Sequence, residues 1–390
     1  MTTIENMIRS AKGPLAGIVV ADFGRVLAAP YCTMLLADLG AVVVKVEGPA
    51  GDETRAWRPP VRGDDATYFL SINRGKLDIA LDLKQPEDLE IARAIIARAD
   101  VMIDNFKPGG LASLGLDPEQ LAQEHPDLVM ASITGFGTAG GAGLPGYDLL
   151  VQAVSGHMSI TGGADTEGFK SGVAVFDVLA GLHTAVGILA SLLQRGRTGQ
   201  GQRVETDLLS VALSSMVNQT SAWVAGGVEP TRMGNEHPSI APYAPFACAG
   251  GEIVIAVGND RQFASLCRGL GVPELADDER FARAPDRSVN RGQLRSLLED
   301  ALAVRTAAEW FEVLTPLGVP CGPIQSIAGG VAFADRLGLE PVADAGTGDR
   351  AVPVVRNPVR YSAHEPEYRL APPRLDEHRQ AVLDWLAASD

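Results

Sequence analysis

The sequence predicts an α/β protein: a large domain built on a parallel sheet with helices, followed by a smaller α+β domain. Three observations predict it. Over the first 135 residues, short apolar runs alternate with stretches of helical spacing, and strand–helix–strand order implies parallel pairing. After Gly227 the order changes to two adjacent strands and then a series of helices. A chain of 390 residues is long enough for two domains.

The elements follow in order. Gly17–Phe23 is an apolar strand, Pro30–Leu39 is helical and stops at Gly40, and Ala41–Glu47 is the next strand. Leu77–Leu83 (strand), Pro86–Ala99 (helix), Asp100–Phe106 (strand), Asp117–His125 (short helix) and Leu128–Thr134 (strand) continue the pattern. Pro86 at a helix start, with Glu87 and Asp88 in the first turn, is a proper N-terminal signal. A glycine-rich loop, Gly135–Gly146, leads to helices near Tyr147–His157 and Asp177–Gln194. Arg195–Gly201 reads as a basic turn into the strand Gln202–Thr206, and Asp207–Gly226 as helix. Beyond it, Tyr243–Ala249 and Glu252–Val257 form a hairpin-like pair, with helices at Asp260–Gly269, Asn290–Ala303 and Thr306–Leu317. The tail returns to strand at Ala351–Tyr361 and ends in a helix over Asp376–Ala388. The expected boundaries are 1–227 for the large domain, 228–330 for the small one and 331–390 for a return to the large one.

Composition narrows the functional classes. With 46% hydrophobic and 21% charged residues the chain is an ordinary globular mixture. Residues 1–12 lack an apolar core with a cleavage site, so no secretory signal is expected. The apolar stretch Val173–Leu193 is broken by Asp177, Gly181, His183 and Gly187, which suits a buried helix better than a membrane span. Cys32, Cys248, Cys267 and Cys321 lie far apart, suggesting neither disulfides nor a zinc site, and a cytoplasmic location fits. A net charge of −15 argues against nucleic acid or an anionic membrane as partner. An anionic ligand would need local basic groups.

Asp177 is the most informative single residue, a carboxylate between Phe176 and Val178 at the start of the long apolar stretch. The simplest reading is a helix cap. The sharper one is a carboxylate nucleophile kept ionised by the same helix terminus. Gly135-Phe-Gly-Thr-Ala-Gly140 matches a dinucleotide-binding pattern, but Gly141, Gly143, Pro145 and Gly146 prevent the helix that pattern requires. A glycine loop over a site is expected instead. Asn73-Arg74-Gly75-Lys76 and Asn105-Phe106-Lys107 lie at strand ends, where open sheets bind ligands. There Arg74, Lys76, Lys84 and Lys107 are candidates for phosphate contacts, or else solvated turn charges. His183 reads as structural.

Taken together, several segments resemble the class III CoA-transferase family. They are Pro14–Phe23, Leu36–Glu47, Asn73–Lys76, Asp104–Gly109, Gly146-Tyr147-Asp148, Gly172–Asp177 and Arg197–Gly201, in the family's order and spacing. The resemblance runs from about residue 13 to Ala371-Pro-Pro. It implies a Rossmann-like large domain, a small domain and an interlocked homodimer. It also implies that Asp177 is the nucleophile, passing through an acyl-aspartyl anhydride and an aspartyl-CoA thioester, with no tightly bound cofactor and coenzyme A thioesters as substrates. Oxyanion donors are expected near Gly135–Gly143 or Gly234. By position, Val26, Leu27 and Ala28 would line the CoA cleft, Leu81 and Lys84 would lie near adenine and phosphates, and Asn105 and Phe106 would contact nucleotide and pantetheine. Departures are Gly48, where certain transferases have a basic residue, Lys107, where Arg is commoner, and Asp376 in place of a tail glycine. Where racemases of this fold carry a His before the motif aspartate, this chain has Tyr147, and a phenol is a poor base near neutral pH. That favours transfer over racemisation, the alternative reading. The segments Arg232–Tyr243 and Val257–Phe263 are similar to the branch that moves CoA between C4–C6 dicarboxylates, typically from succinyl-CoA to glutarate or hydroxymethylglutarate. Arg232, His237, Ser239 and Tyr243 are then candidates for holding the distal carboxylate, which must be paired in a closed site.

Overall fold

A computed structural model describes residues 2–388. The chain divides into two compact units. The first comprises residues up to His157, Lys170–Val228 and Glu340 onward, and the second Met158–Phe169 with Glu229–Leu339.

The first unit is built on six strands: β1 (Val19–Asp22), β2 (Val42–Glu47), β3 (Lys76–Ala80), β4 (Val101–Asp104), β5 (Val129–Thr134) and β6 (Arg203–Asp207). Their order is β3-β2-β1-β4-β5-β6, and every pairing is parallel. This is the classical doubly wound, Rossmann-type order. Strand side chains alternate between two cores. Val20, Val43, Ile103, Val129 and Ile133 pack on one face against helices α1 (Ala28–Asp38), α2 (Val175–Thr198) and α3 (Leu208–Ser215). Val19, Val44, Ile79, Met102 and Met130 face the other side, under the helices Pro86–Ala97, Pro118–Glu124 and Arg379–Ala387. The near-continuous apolar strands of the sequence are thus buried on both sides, as parallel sheets require.

Helix α2 is, among the described residues, the one helix long and apolar enough to cross a bilayer. It instead buries Phe176, Ala180, Gly181, Thr184, Ile188 and Ser191 in the unit. It also runs through Thr198, so Arg195–Thr198 are helical and the turn begins only at Gly199, with φ 71°. Arg195 is held there by Asp100 at 2.8 Å, a partner distant in sequence. The helix expected over 207–226 is two helices, α3 and Val217–Val224, broken where Val217 takes φ 40°.

The second unit packs the antiparallel strands Tyr243–Cys248, Gly251–Ala256 and Cys321–Pro323 against helices Asp260–Leu270, Arg291–Leu302 and Ala307–Leu314. It extends beyond the expected 228–330 in two places. A further helix, Ile327–Arg336, carries it to Leu339. The excursion Met158–Phe169 joins it through a bond from the Gly234 amide to the Gly162 carbonyl, at 2.8 Å. Neither the helix, with its paired glycines, nor a twelve-residue excursion carries a strong periodic signal.

Candidate active site

Strands β1 and β4 are neighbours, yet the chain leaves them toward opposite faces of the sheet. A crevice therefore opens at their carboxyl ends, the topological switch point of the fold. It holds a cavity of about 230 Å³. The loop after β1 (Arg25, Val26, Leu27, Ala28) forms one wall and the loop after β4 (Asn105, Phe106, Lys107, Pro108) another. The glycine loop, Tyr147 and Asp177 complete it.

A side chain of one wall bonds the backbone of the other. The Asn105 side chain accepts from the Arg25 amide at 2.9 Å and donates to the Arg25 carbonyl at 2.7 Å. The Arg25 guanidinium lies 5.0 Å from the centre of the Phe106 ring. Arg25 is paired with Glu53 of the same wall at 3.1 Å, which leaves Lys107, among the described residues, as the cation of the lining without a carboxylate partner. The glycine loop is closed by Gly135 and Gly146, whose backbones touch; a Cβ on Gly135 would lie 2.4 Å from the Gly146 Cα. No helix begins at Gly135–Gly140; the next starts at Asp148.

Asp177 lies in the first turn of α2, which begins two residues earlier, at Val175. The cap of that helix is Asp148, supplied by the neighbouring helix Asp148–Val154. Its Oδ1 accepts from the Phe176 amide at 2.8 Å and the Asp177 amide at 3.3 Å. Gln152 donates to its Oδ2. Because Asp148 takes the helix terminus, Asp177 does not gain from it as the sequence suggested. Burial, and then the nearby Asp148 charge, push the Asp177 carboxyl up to about 7. The helix comes close to the β1 loop because residue 181 is glycine: a Cβ there would lie 2.6 Å from the Ala28 carbonyl oxygen. One turn earlier, Asp177 reaches the same wall.

The cavity thus brings together Val26, Leu27, Ala28, Asn105, Phe106, Lys107, Tyr147 and Asp177. Other sequence candidates lie elsewhere. Arg74 is buried and makes two bonds to Asp38, at 2.9 and 2.6 Å, so it is a structural ion pair and not a phosphate ligand. Lys76 is buried against Asp22 at 3.1 Å. Leu81 sits in the apolar core and Lys84 on the exposed turn after β3; neither lines the cavity. Asp376 adopts φ 61°, a conformation that favours glycine, and its carboxylate accepts from the Ala80 amide at 2.9 Å.

The candidates for a distal carboxylate belong to the second unit. The Gly234 amide is engaged by Gly162, and His237 Nδ1 accepts from the Ser239 amide at 3.1 Å. The His237 ring meets Tyr243 edge-on, with centroids 5.2 Å apart. Arg232 is half-buried, with a buried Nε that has no bonding partner. His237, Ser239 and Tyr243 thus touch one another within that unit.

Two residues that interact with Asp177 from outside the cavity lining escaped sequence reasoning. Asp148 was visible only as part of Gly146-Tyr147-Asp148; its capping of a helix 27 residues away needs the fold. Tyr68 is the other. Its phenol is pushed up to about 12 by burial and by the charges of Asp177, Asp148 and Asp52. Its segment, Thr67–Ile72, carries no motif. Among the described residues no group of three or more His, Cys, Asp or Glu side chains could hold a metal ion.

Comparison with known proteins matches this geometry to one family. The model for CoA-transferase family III matches residues 15–379. A succinate–glutarate CoA-transferase of Agrobacterium fabrum is 41% identical, covering 95% of each chain. An acetyl-CoA:oxalate CoA-transferase of Acetobacter aceti is 38% identical, covering 97% of each. The crystal structure of a CaiB/BaiF family protein from Brucella suis superposes with a TM-score of 0.86 at 41% identity, covering 96% of this chain and 99% of that one.

Proposed function

The chain belongs to CoA-transferase family III and is an enzyme that moves coenzyme A between carboxylic acids, and we propose that Asp177 carries the exchange in the switch-point cavity. The observation that carries this reading is a single part-buried carboxylate, Asp177, facing the strand-end loops that a CoA thioester would occupy.

A carboxylate oxygen of Asp177 attacks the thioester carbonyl; the C–S bond breaks and CoA leaves as thiolate, giving a mixed anhydride. The thiolate then attacks the aspartyl carbonyl, expelling the donor acid and leaving an aspartyl-CoA thioester. The acceptor carboxylate attacks that thioester and displaces the thiolate. The thiolate finally attacks the acceptor acyl carbon and frees Asp177. No proton or electron is gained overall. Backbone amides of the glycine loop are the candidate oxyanion donors. A proton on Asp177 blocks the first step, so the raised carboxyl favours a weakly hydrated and strongly nucleophilic anion above neutrality.

Succinyl-CoA as donor and glutarate as acceptor are the proposed substrates, by analogy with the Agrobacterium relative. The oxalate enzyme makes a short diacid the competing choice. Arg232, His237, Ser239 and Tyr243 are our candidates for holding the distal carboxylate. Tyr147, two-thirds exposed at 66%, stands where a racemase would hold a histidine base, so racemisation has no residue to carry it at that position. We further infer an interlocked homodimer in a cytoplasmic setting. Leu182, Val186 and Leu193 on α2, with Trp223 and Val224, leave an apolar surface that a second copy would cover. The four cysteines are free thiols.

The test is an acid quench with succinyl-CoA, followed by mass analysis of the peptide holding Asp177. Added mass that disappears in Asp177→Ala is expected, together with loss of transfer to a panel of C2–C6 diacids. Turnover retained by Asp177→Ala would remove the assignment.

A further inference from the structure

Val26 has φ 66°, a left-handed conformation that is costly for a β-branched residue. It sits in the loop that lines the cavity opposite Asp177. The loop is fastened at successive backbone groups. Asp22 accepts from the Gly24 amide at 2.8 Å, and Lys45 Nζ donates to the Gly24 carbonyl at 2.7 Å. Asp52 accepts from the Val26 amide, at 3.1 Å to Oδ2.

Lys45 and Asp52 are also paired with each other at 3.2 Å, and both side chains are wholly inaccessible to solvent. Asp52 is oriented in turn by the Thr54 amide and hydroxyl, at 2.9 and 2.7 Å on Oδ1. A buried ion pair is a poor way to gain stability, because desolvation offsets its attraction. This one instead holds the two peptides that flank Arg25, the second of which leads into the strained Val26. The two residues arrive from β2 and from the segment after it, so neither belongs to the loop they hold.

We propose that Lys45 and Asp52 are positioning residues for the transfer reaction: together they hold Val26 in its left-handed conformation and so fix the wall against which acyl-CoA is aligned with Asp177. The proposal rests on the functional reading above only for its catalytic consequence. Held this way, the loop is set before the ligand arrives, and ordering it costs nothing on binding.

Three measurements test it: CoA affinity by calorimetry, steady-state transfer, and hydrogen exchange of the amides of residues 24–28. Asp52→Asn removes the charge while keeping the shape. It is expected to weaken CoA binding about tenfold, the worth of one charge-assisted bond, and to speed exchange at residues 24–28. In a Val26→Gly background the left-handed conformation carries no penalty, so the further loss from Asp52→Asn should shrink to about twofold. Lowered thermal stability alone would not produce that coupling. Should Asp52→Asn fail to fold, Thr54→Val loosens the carboxylate without unpairing Lys45, and faster exchange at residues 24–28 is again expected. The proposal is overturned if exchange and CoA affinity match the wild type, or if the loss is equal in both backgrounds. A wild-type protein that neither binds nor transfers CoA would remove the functional reading, while the exchange measurement still decides the clamp.

Discussion

Asp177 and Asp148 divide between them what the sequence offered to one residue. Asp148 receives the helix amides, and Asp177 is left in a poorly hydrated place with its carboxyl near 7. The sign follows directly. Protonation of Asp177 would remove the proposed nucleophile, so kcat/KM should rise with pH through about 7 and level off above it. Asp148→Asn keeps an acceptor for the helix amides but removes one charge that raises Asp177. The acidic limb should therefore move to lower pH, though only in part, since burial is the larger cause. A pH–rate profile of both proteins checks this; an unmoved limb would mean that Asp148 acts only as a cap. At this same scale, motifs located Asp177 and the residues 26–28 and 105–107, but they misread Arg74 and Lys76. A sequence shows that a cation is present. It does not show that Asp38 or Asp22 already holds it.

Elements carry the next level of information. Short apolar runs and helical spacing placed the six parallel strands and most helices, because apolar burial on both faces of a sheet leaves a plain pattern in the chain. Ends were less legible. Helix α2 continues to Thr198 because Asp100 receives Arg195, and no local signal announces that partner. The approach of α2 to the β1 loop depends on Gly181. Gly181→Ala would set a methyl group 2.6 Å from the Ala28 carbonyl and force the helix or the loop to shift. Misplacement of reacting groups by a fraction of an ångström is costly, so kcat should fall by about tenfold or more. The purified variant's transfer rate, with circular dichroism to confirm folding, measures it. An unchanged rate would show that the site tolerates a looser seat for α2.

For the whole molecule, the exposed apolar face of α2 and of Val217–Val224 bears on assembly. Val186 and Leu193 are 66% and 70% exposed on α2, and Trp223 is 58% exposed on the later helix. Val186→Glu should dissociate or weaken the inferred dimer, read by sedimentation velocity; an unaltered mass would place the contact elsewhere. The sequence by itself determined the class of fold, the order of its strands and helices and the family, and it singled out Asp177 as the proposed nucleophile. Those follow from periodicity and from motifs that are local in the chain. Only the tertiary structure decided that Asp148 caps the helix, that Arg74 and Lys76 are structural, and that Lys45 and Asp52 fasten the backbone of Gly24 and Val26. Each of these depends on a partner brought near by folding, and a buried charge takes its role from its partner, not from its neighbours in sequence.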